Sequence, residues 1–350
     1  MTLLRSVDAL IEEAGLTPIV RPPAPVTDTG WERIDLFPWL QGPMPDDSPK
    51  LGVRTDGVRV LYPGRIHAIN GEPESGKTWL AQFLAAQELA GGHKVLYLDY
   101  EDGPAAFASR MAALGVPARI VVTALHYHRI DQPWSEEARA VLATATANGF
   151  SLAVIDGVTE AMAACGLDPL GNADVAKWWA MLPKPLTRSG AAVLIIDHVA
   201  KDREGRGRWA LGAQHKLSAV DGAAFALETR APFGRGKRGS STIFIRKDRP
   251  GFLRQNAIGD RLAEFTLISA NRAVTASLEP CVPYDHHAML DISRILAQIG
   301  PATSAQLREH LARRRTGEID RARAKLVEMG HVRESMEGRI VYYSLTRPYQ

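Results

Sequence analysis

The stretch GEPESGKT, Gly71 to Thr78, constrains this chain more than any other. An apolar run, RIHAIN, precedes it and a helix-compatible run, TWLAQFLAAQELA, follows, so a glycine-framed loop joins a strand to a helix. The spacing of Gly71, Gly76, Lys77 and Thr78 satisfies G-x-x-x-x-G-K-[ST], in which main-chain N–H groups and one lysine wrap the phosphates of a nucleotide. A surface turn that happened to contain Gly-Lys-Thr would not account for the flanking periodicity. Gly76 permits close backbone approach, Lys77 is expected to reach the β and γ phosphates, and the Thr78 hydroxyl to ligate Mg²⁺. The expected nucleotide cradle is Gly71, Glu72, Pro73, Glu74, Ser75, Gly76, Lys77, Thr78 and Trp79. Glu72 and Glu74 are expected to point outward while the N–H groups point in. Glu74 stands where glycine is common in such loops, so its backbone is expected to avoid positive φ.

From Arg65 onward, short β-rich runs alternate with helical ones, the pattern of an α/β fold with a mostly parallel sheet covered on both faces. KVLYLDY, ARIVVTALHYH, SLAVID and AAVLIID read as strands; PAAFASRMAAL, SEEARAVLATATAN and ADVAKWWAMLPKPL read as helices. After Asp197 the style changes. VDGAAFALE and STIFIRK read as strands flanking the Gly/Arg-rich APFGRGKRGS, and AEFTLI adds a further strand, an antiparallel extension of the sheet. From about His286, the helices LDISRILAQI, SAQLREHLA and EIDRARAKLVEM and the hairpin HVRESMEGRIVYYSL, turning near Gly338, read as a small winged helix-turn-helix. The expected organisation is a helix and Pro-rich arm over 1–44, an ATPase domain over 45–275 and a winged-helix domain over 286–350. In the arm, prolines forbid regular helix, and Trp31, Phe37, Pro38 and Trp39 are candidates for packing on a neighbour or on their own domain edge.

In such sheets ligands collect beyond the carboxyl ends of the strands, and each acidic motif falls there. SLAVIDG puts Asp156 at the Mg²⁺-binding position. Gly157 follows it, so the base that orients water must come from elsewhere. KVLYLDYEDG supplies Glu101, with Asp99 and Asp102 as less suitable alternatives. Glu101 also suits the plain role of an acid before a helix. LIIDHVAKD offers Asp197 and His198, the latter as a γ-phosphate sensor or as ordinary polar surface.

The set GEPESGKT, LYLDYED, LAVIDG, LIIDHVAKD and IFIRKDRPG, in that order, resembles RecA-fold ATPases of the RepA-like hexameric helicase group over roughly residues 45 to 270. The resemblance implies a ring with ATP sites between subunits, Glu101 as catalytic glutamate, and Arg246, Lys247 or Arg249 acting on a neighbour's γ phosphate. It also implies DNA-binding loops in the ring channel, with Arg203, Arg206 and Arg208 in one and Arg235, Lys237 and Arg238 in the other. Phe233 and Trp209 are the aromatic residues near them, so base stacking is weakly supported.

Charge bears on the partner. The net charge is +3, but residues 287–350 hold 11 Lys and Arg against 7 Asp and Glu, and Thr229 to Arg254 hold 8 against one. Such local basic charge suits a polyanion, though a solvated face would show it too. LARRRTGEIDRARAKL offers Arg313, Arg314, Arg315, Arg321, Arg323 and Lys325 for duplex DNA, although winged helices also dock proteins. Cys165 and Cys281 are isolated, which fits a reducing compartment. No apolar run nears the roughly 20 residues a membrane span needs. The chain therefore reads as a cytoplasmic, ATP- and Mg²⁺-dependent DNA motor, hexameric, serving replication or a mobile element, with any primase supplied by a partner. The alternatives are an ATP-switched DNA-binding regulator and a recombination ATPase that forms filaments. A metabolic kinase is disfavoured, because the basic loops would be idle.

Overall fold

The computed structural model describes residues 46–147, 149–198, 215–270, 273–282 and 285–349, together with Arg33, Asp35 and Phe37. The chain divides into two units, Met1–Asp46 and Asp47–Gln350, of which the second carries everything below. The arm with Trp31, Pro38 and Trp39, and the loop with Arg203, Arg206, Arg208 and Trp209, lie outside the described residues.

A hairpin of β1 (Leu51–Val53) and β2 (Arg59–Leu61) leads into β3 (Ile66–Gly71) and α1 (Lys77–Ala90). Next come β4 (Val95–Asp99), α2 (Pro104–Ala113), α3 (Ala118–Ala124), β5 (Leu125–Arg129) and α4 (Glu136–Ala147). They are followed by β6 (Leu152–Asp156), α5 (Val158–Ala164), α6 (Asn172–Met181), α7 (Pro183–Thr187) and β7 (Ala192–His198). After α8 (His215–Ser218) the chain forms β8 (Ala223–Ala231), β9 (Arg238–Asp248), β10 (Arg261–Ala270) and β11 (Ala273–Pro280).

These strands form one nine-stranded sheet in the order β11-β10-β9-β8-β3-β7-β6-β4-β5. From β8 to β5 the pairing is parallel, and from β8 to β11 antiparallel. Burial on both faces explains the central strands, whose residues are apolar without alternation. α1 and α2 cover one face with Leu80, Leu84, Leu89, Phe107 and Met111. α5 and α6 cover the other with Val158, Met162, Val175, Trp178 and Trp179. The β1–β2 hairpin is held to α1 by the Gln87 side chain, which bonds both the N–H and the C=O of Val53. Arg54, almost fully buried, pairs with Asp56 and donates to the carbonyls of Asn256 and Leu262.

One element departs from expectation. ARIVVTALHYH is not a single strand: Ala118–Ala124 is helical and only Leu125–Arg129 joins the sheet. β5 is an edge strand whose register is set by the five residues of β4, so the β-branched residues upstream have no ladder to join. Ile120 and Val121 pack on the core from a helix instead. The sequence also gave no reading of β1, β2, α5 or β11, and β11 continues to Pro280, beyond residue 275.

The last segment has its own core around Met289, Ile292, Leu296, Leu307, Ile319 and Leu326. It contains α9 (His286–Ile299), β12 (Ala302–Thr303), α10 (Ser304–His310), α11 (Thr316–Glu328), β13 (Val332–Glu337) and β14 (Ile340–Leu345). β14 pairs with both β12 and β13, and Gly338, at φ 65°, makes the hairpin turn. Thr303 caps α10 reciprocally with Gln306. Among the described residues no helix is long and apolar enough to cross a membrane.

Candidate active site

β3 ends at Gly71, and the chain then turns through the phosphate loop into α1. Gly76, at φ 87°, precedes the helix, and a Cβ there would lie 2.7 Å from the Phe233 ring. At Gly71 a Cβ would lie 2.5 Å from Ser75 Oγ. Both glycines are therefore required by space, and Gly76 also by its dihedral angle. Glu74 corrects the sequence reading: its φ is +60°, in the left-handed region the residue was expected to avoid. The turn imposes that angle, and the neighbouring contacts hold it: Ser75 donates its N–H to the Glu72 carbonyl and accepts at its own carbonyl from Ser241 Oγ. The side chains of Glu72 and Glu74 are exposed, as expected, and Pro73 lies between them.

Lys77 Nζ donates to the carbonyls of Gly71 (3.0 Å) and Glu72 (2.8 Å), within the curl of the loop. Burial pushes its pKa down, and the carboxylates of Glu101, Asp156 and Asp197 oppose that shift. All four groups thus act on one small volume at the carboxyl end of the sheet.

Asp156 ends β6 almost fully buried. Tyr97 donates its hydroxyl to Oδ2 at 2.7 Å, while Oδ1 is buried without a hydrogen-bond partner. Burial raises the Asp156 pKa to about 6, the Tyr97 hydrogen bond opposes this, and the Glu101 charge adds to it. Thr78 is close enough to act on the same carboxyl. One orphaned buried carboxylate oxygen beside a threonine hydroxyl is a donor set that fits a hard cation such as Mg²⁺.

Glu101 follows β4, and its Oε1 lies 2.9 Å from His198 Nε2 at the end of β7. The histidine lowers the Glu101 pKa, and the carboxylate raises that of His198. The two alternatives to Glu101 have other tasks. Asp99 accepts the N–H groups of Glu101 and Asp102 and the Tyr127 hydroxyl, which fixes the turn that carries Glu101. Asp102 pairs with Arg110 at 2.8 Å. Asp197 is buried against Lys216 at 2.9 Å and accepts the N–H of His198.

Sequence reasoning missed Tyr97, Glu160 and Lys216, and took Gly157 only as the lack of an acid after Asp156. A Cβ at Gly157 would lie 2.2 Å from Glu101 Oε1 and 2.9 Å from Glu160 Oε2, so this glycine makes room for the Glu101 carboxylate. Glu160 had a signal in its place four residues after Asp156, one helical turn on. Lys216 had none.

Beside the loop opens a cleft of about 790 Å³ lined by Glu74, Trp79, Arg110, Phe233, Arg235 and Lys237. The Arg110 guanidinium sits 5.7 Å over the Trp79 ring. The tip of the β8–β9 hairpin, with Arg235 and Lys237, thus borders the phosphate loop, and Arg238 follows it on an exposed strand start.

Arg249 lies at the other end of β3, whereas Arg246 and Lys247 stand level with the middle of that strand. Asp248 pairs with Ala223, and the N–H of Arg249 meets the carbonyl of Gly222, whose own N–H meets Ile66 at the start of β3. None of these three side chains is bonded to the phosphate loop. Arg246 pairs with Glu228 (3.1 Å) and Asp260 (2.8 Å) over the Phe244 ring, and Lys247 donates to the carbonyls of Leu217 and Ser218. Arg249 is exposed. In the last segment Arg314 pairs with Asp291 and Glu318, Arg321 with Asp285, and Arg323 with Asp320, while Arg313 and Arg315 are exposed.

A family model described as an AAA domain matches residues 54–204, the stretch that holds Gly71–Thr78, Glu101, Asp156 and His198. No curated protein matches the chain. Among 530 matching chains of solved structures is a KaiC-like protein from the hyperthermophilic archaeon Pyrococcus horikoshii. It is 13% identical, covers 66% of this chain and 99% of its own, and has a TM-score of 0.45. The loop geometry and the family match mark residues 54–204 as part of a P-loop ATPase core.

Proposed function

We propose that the protein hydrolyses ATP with Mg²⁺ and uses the energy to act on DNA as a ring-forming motor, each site being completed by the neighbouring protomer. The observation that carries the hydrolytic part is the convergence of Lys77, Asp156, Glu101 and His198 on the phosphate loop. The loop N–H groups and Lys77 bind the triphosphate, and Lys77 exchanges its bonds to Gly71 and Glu72 for phosphate oxygens. Thr78 and Asp156 would hold Mg²⁺, which when bound neutralises charge on the β and γ oxygens. Glu101 orients the attacking water and accepts its proton once its carboxylate leaves His198. His198, released at the same moment, is free to donate to the γ phosphate. The cleft flanked by Trp79, Arg110 and Phe233 suits the nucleoside half, with apolar and aromatic surface for a base and cations at its rim.

Arg249 is the candidate that acts in trans, because Arg246 and Lys247 already have intramolecular partners. The three helices and hairpin of residues 285–349 are read as a winged helix, with DNA held through the exposed Arg313 and Arg315 and through Arg333 and Arg339 on the hairpin. One observation favours a second reading, an ATP-switched DNA-binding protein without strand separation. Phe233 packs on Gly76, tying the basic hairpin tip to the nucleotide loop as a switch would require.

Steady-state ATPase rates with and without single-stranded DNA, on wild type and Glu101→Gln, test the proposal. The expected result is DNA-stimulated turnover in wild type, and in the variant retained nucleotide binding with turnover lost by on the order of 10²-fold or more. A forked-duplex assay then separates motor from switch. Turnover that persists in Glu101→Gln would remove the catalytic assignment.

A further inference from the structure

Sheet order puts β6 between β4 and β7, so α5, which continues from β6, rises between the strand end that carries Glu101 and the one that carries His198. Glu160 stands on that helix. Its Oε2 is buried without a hydrogen-bond partner, an expensive state for a carboxyl oxygen. Glu160 Oε2 and Glu101 Oε1 lie 2.9 Å and 2.2 Å from the point where a Gly157 Cβ would sit, so they are at most 5.1 Å apart. Two carboxyl groups therefore flank one spot, and one of them already holds the imidazole of His198.

Hydrolysis creates a need at this spot. Once Glu101 accepts the proton of the attacking water it is neutral and no longer attracts an imidazolium, which beside Lys77 would be repelled from its place. We propose that Glu160 is a positioning residue for His198: when Glu101 turns to the water, Glu160 takes over the imidazolium and keeps it aimed at the phosphate. The unpartnered oxygen is then the idle half of a two-position switch. Besides Glu101, the charged groups facing His198 are Lys77 from α1, Glu160 from α5, and Asp197 with its partner Lys216. Glu160 and Glu101 both raise the His198 pKa, while Lys77 lowers it.

The inference rests on the hydrolase reading above, and the test keeps the two apart. In the full chain, kcat and KM for ATP are measured for Glu160→Gln, Glu160→Asp, His198→Asn and the Glu160→Gln/His198→Asn pair. Glu160→Gln is expected to lower kcat roughly tenfold with KM little changed, Glu160→Asp to recover much of the loss, and the double variant to match His198→Asn alone. Independent, multiplying effects would overturn the proposal. In parallel, the His198 imidazole, assigned among the ten histidines by its absence in His198→Asn, is titrated by NMR without nucleotide. Its midpoint should fall by roughly half a pH unit in Glu160→Gln, and an unmoved midpoint would overturn the pairing. Were wild type to hydrolyse no ATP, the hydrolase reading would fall, while the titration would still decide whether Glu160 holds His198.

Discussion

At the scale of residues, the site depends on what is left out as much as on what is present. Gly157 has no side chain where Glu101 Oε1 must stand. Gly157→Ala should therefore leave the fold and nucleotide affinity intact yet cost roughly 10²-fold in kcat by displacing the carboxylate, which a comparison of kcat with the affinity for a non-hydrolysable ATP analogue would reveal. Asp156 makes a second prediction. Its folded pKa, about 6, exceeds the ordinary 3.8, so the folded state holds this proton more tightly than the unfolded chain does. That contribution is fully present below about pH 4 and is lost as pH rises through 6, a swing of about 3 kcal/mol. Metal-free wild type should thus lose melting temperature between pH 4 and pH 6 more steeply than Asp156→Asn, and the variant should lose its response to Mg²⁺. Lys77, Thr78, Asp156 and Glu101 were legible in the sequence because each lies at a fixed offset from a strand end. Lys216 was not, and Glu160 was marked only by its place one helical turn after Asp156, because their roles come from which strands the sheet sets side by side.

At the scale of elements, the strands buried on both faces could be read directly, since burial on two sides leaves continuous apolar runs. The segment Ala118–Ala124 misled because its β-branched residues favour a strand, and only the length of β4 shows that no ladder is available. Val122 gives a direct check: it is 82% exposed on α3. Val122→Ala should raise stability by about 0.5 kcal/mol in urea titrations, since alanine is the better helix former; in a strand the same change would lower it. The antiparallel strands β8, β9 and β10 were visible through their Gly/Arg-rich turn, whereas the short β1–β2 hairpin is defined by Gln87 and Arg54 reaching it from afar.

At the scale of the whole molecule, the phosphate loop and Arg249 occupy opposite ends of β3, a relation no local motif encodes. If a neighbour's Arg249 completes the site, neither Glu101→Gln nor Arg249→Ala alone should turn over ATP. An equimolar mixture should recover a fraction of wild-type activity that grows with protein concentration, because some interfaces pair an intact Glu101 with an intact Arg249. Activity independent of concentration and unaffected by Arg249→Ala would show that each chain works alone. The separation of the two groups also has a geometric corollary. A contact that joins the front of one chain to the back of the next is directional, and a twofold axis cannot generate it. Successive copies would inherit a common heading, and any polymer track threaded past them would meet every copy in the same orientation.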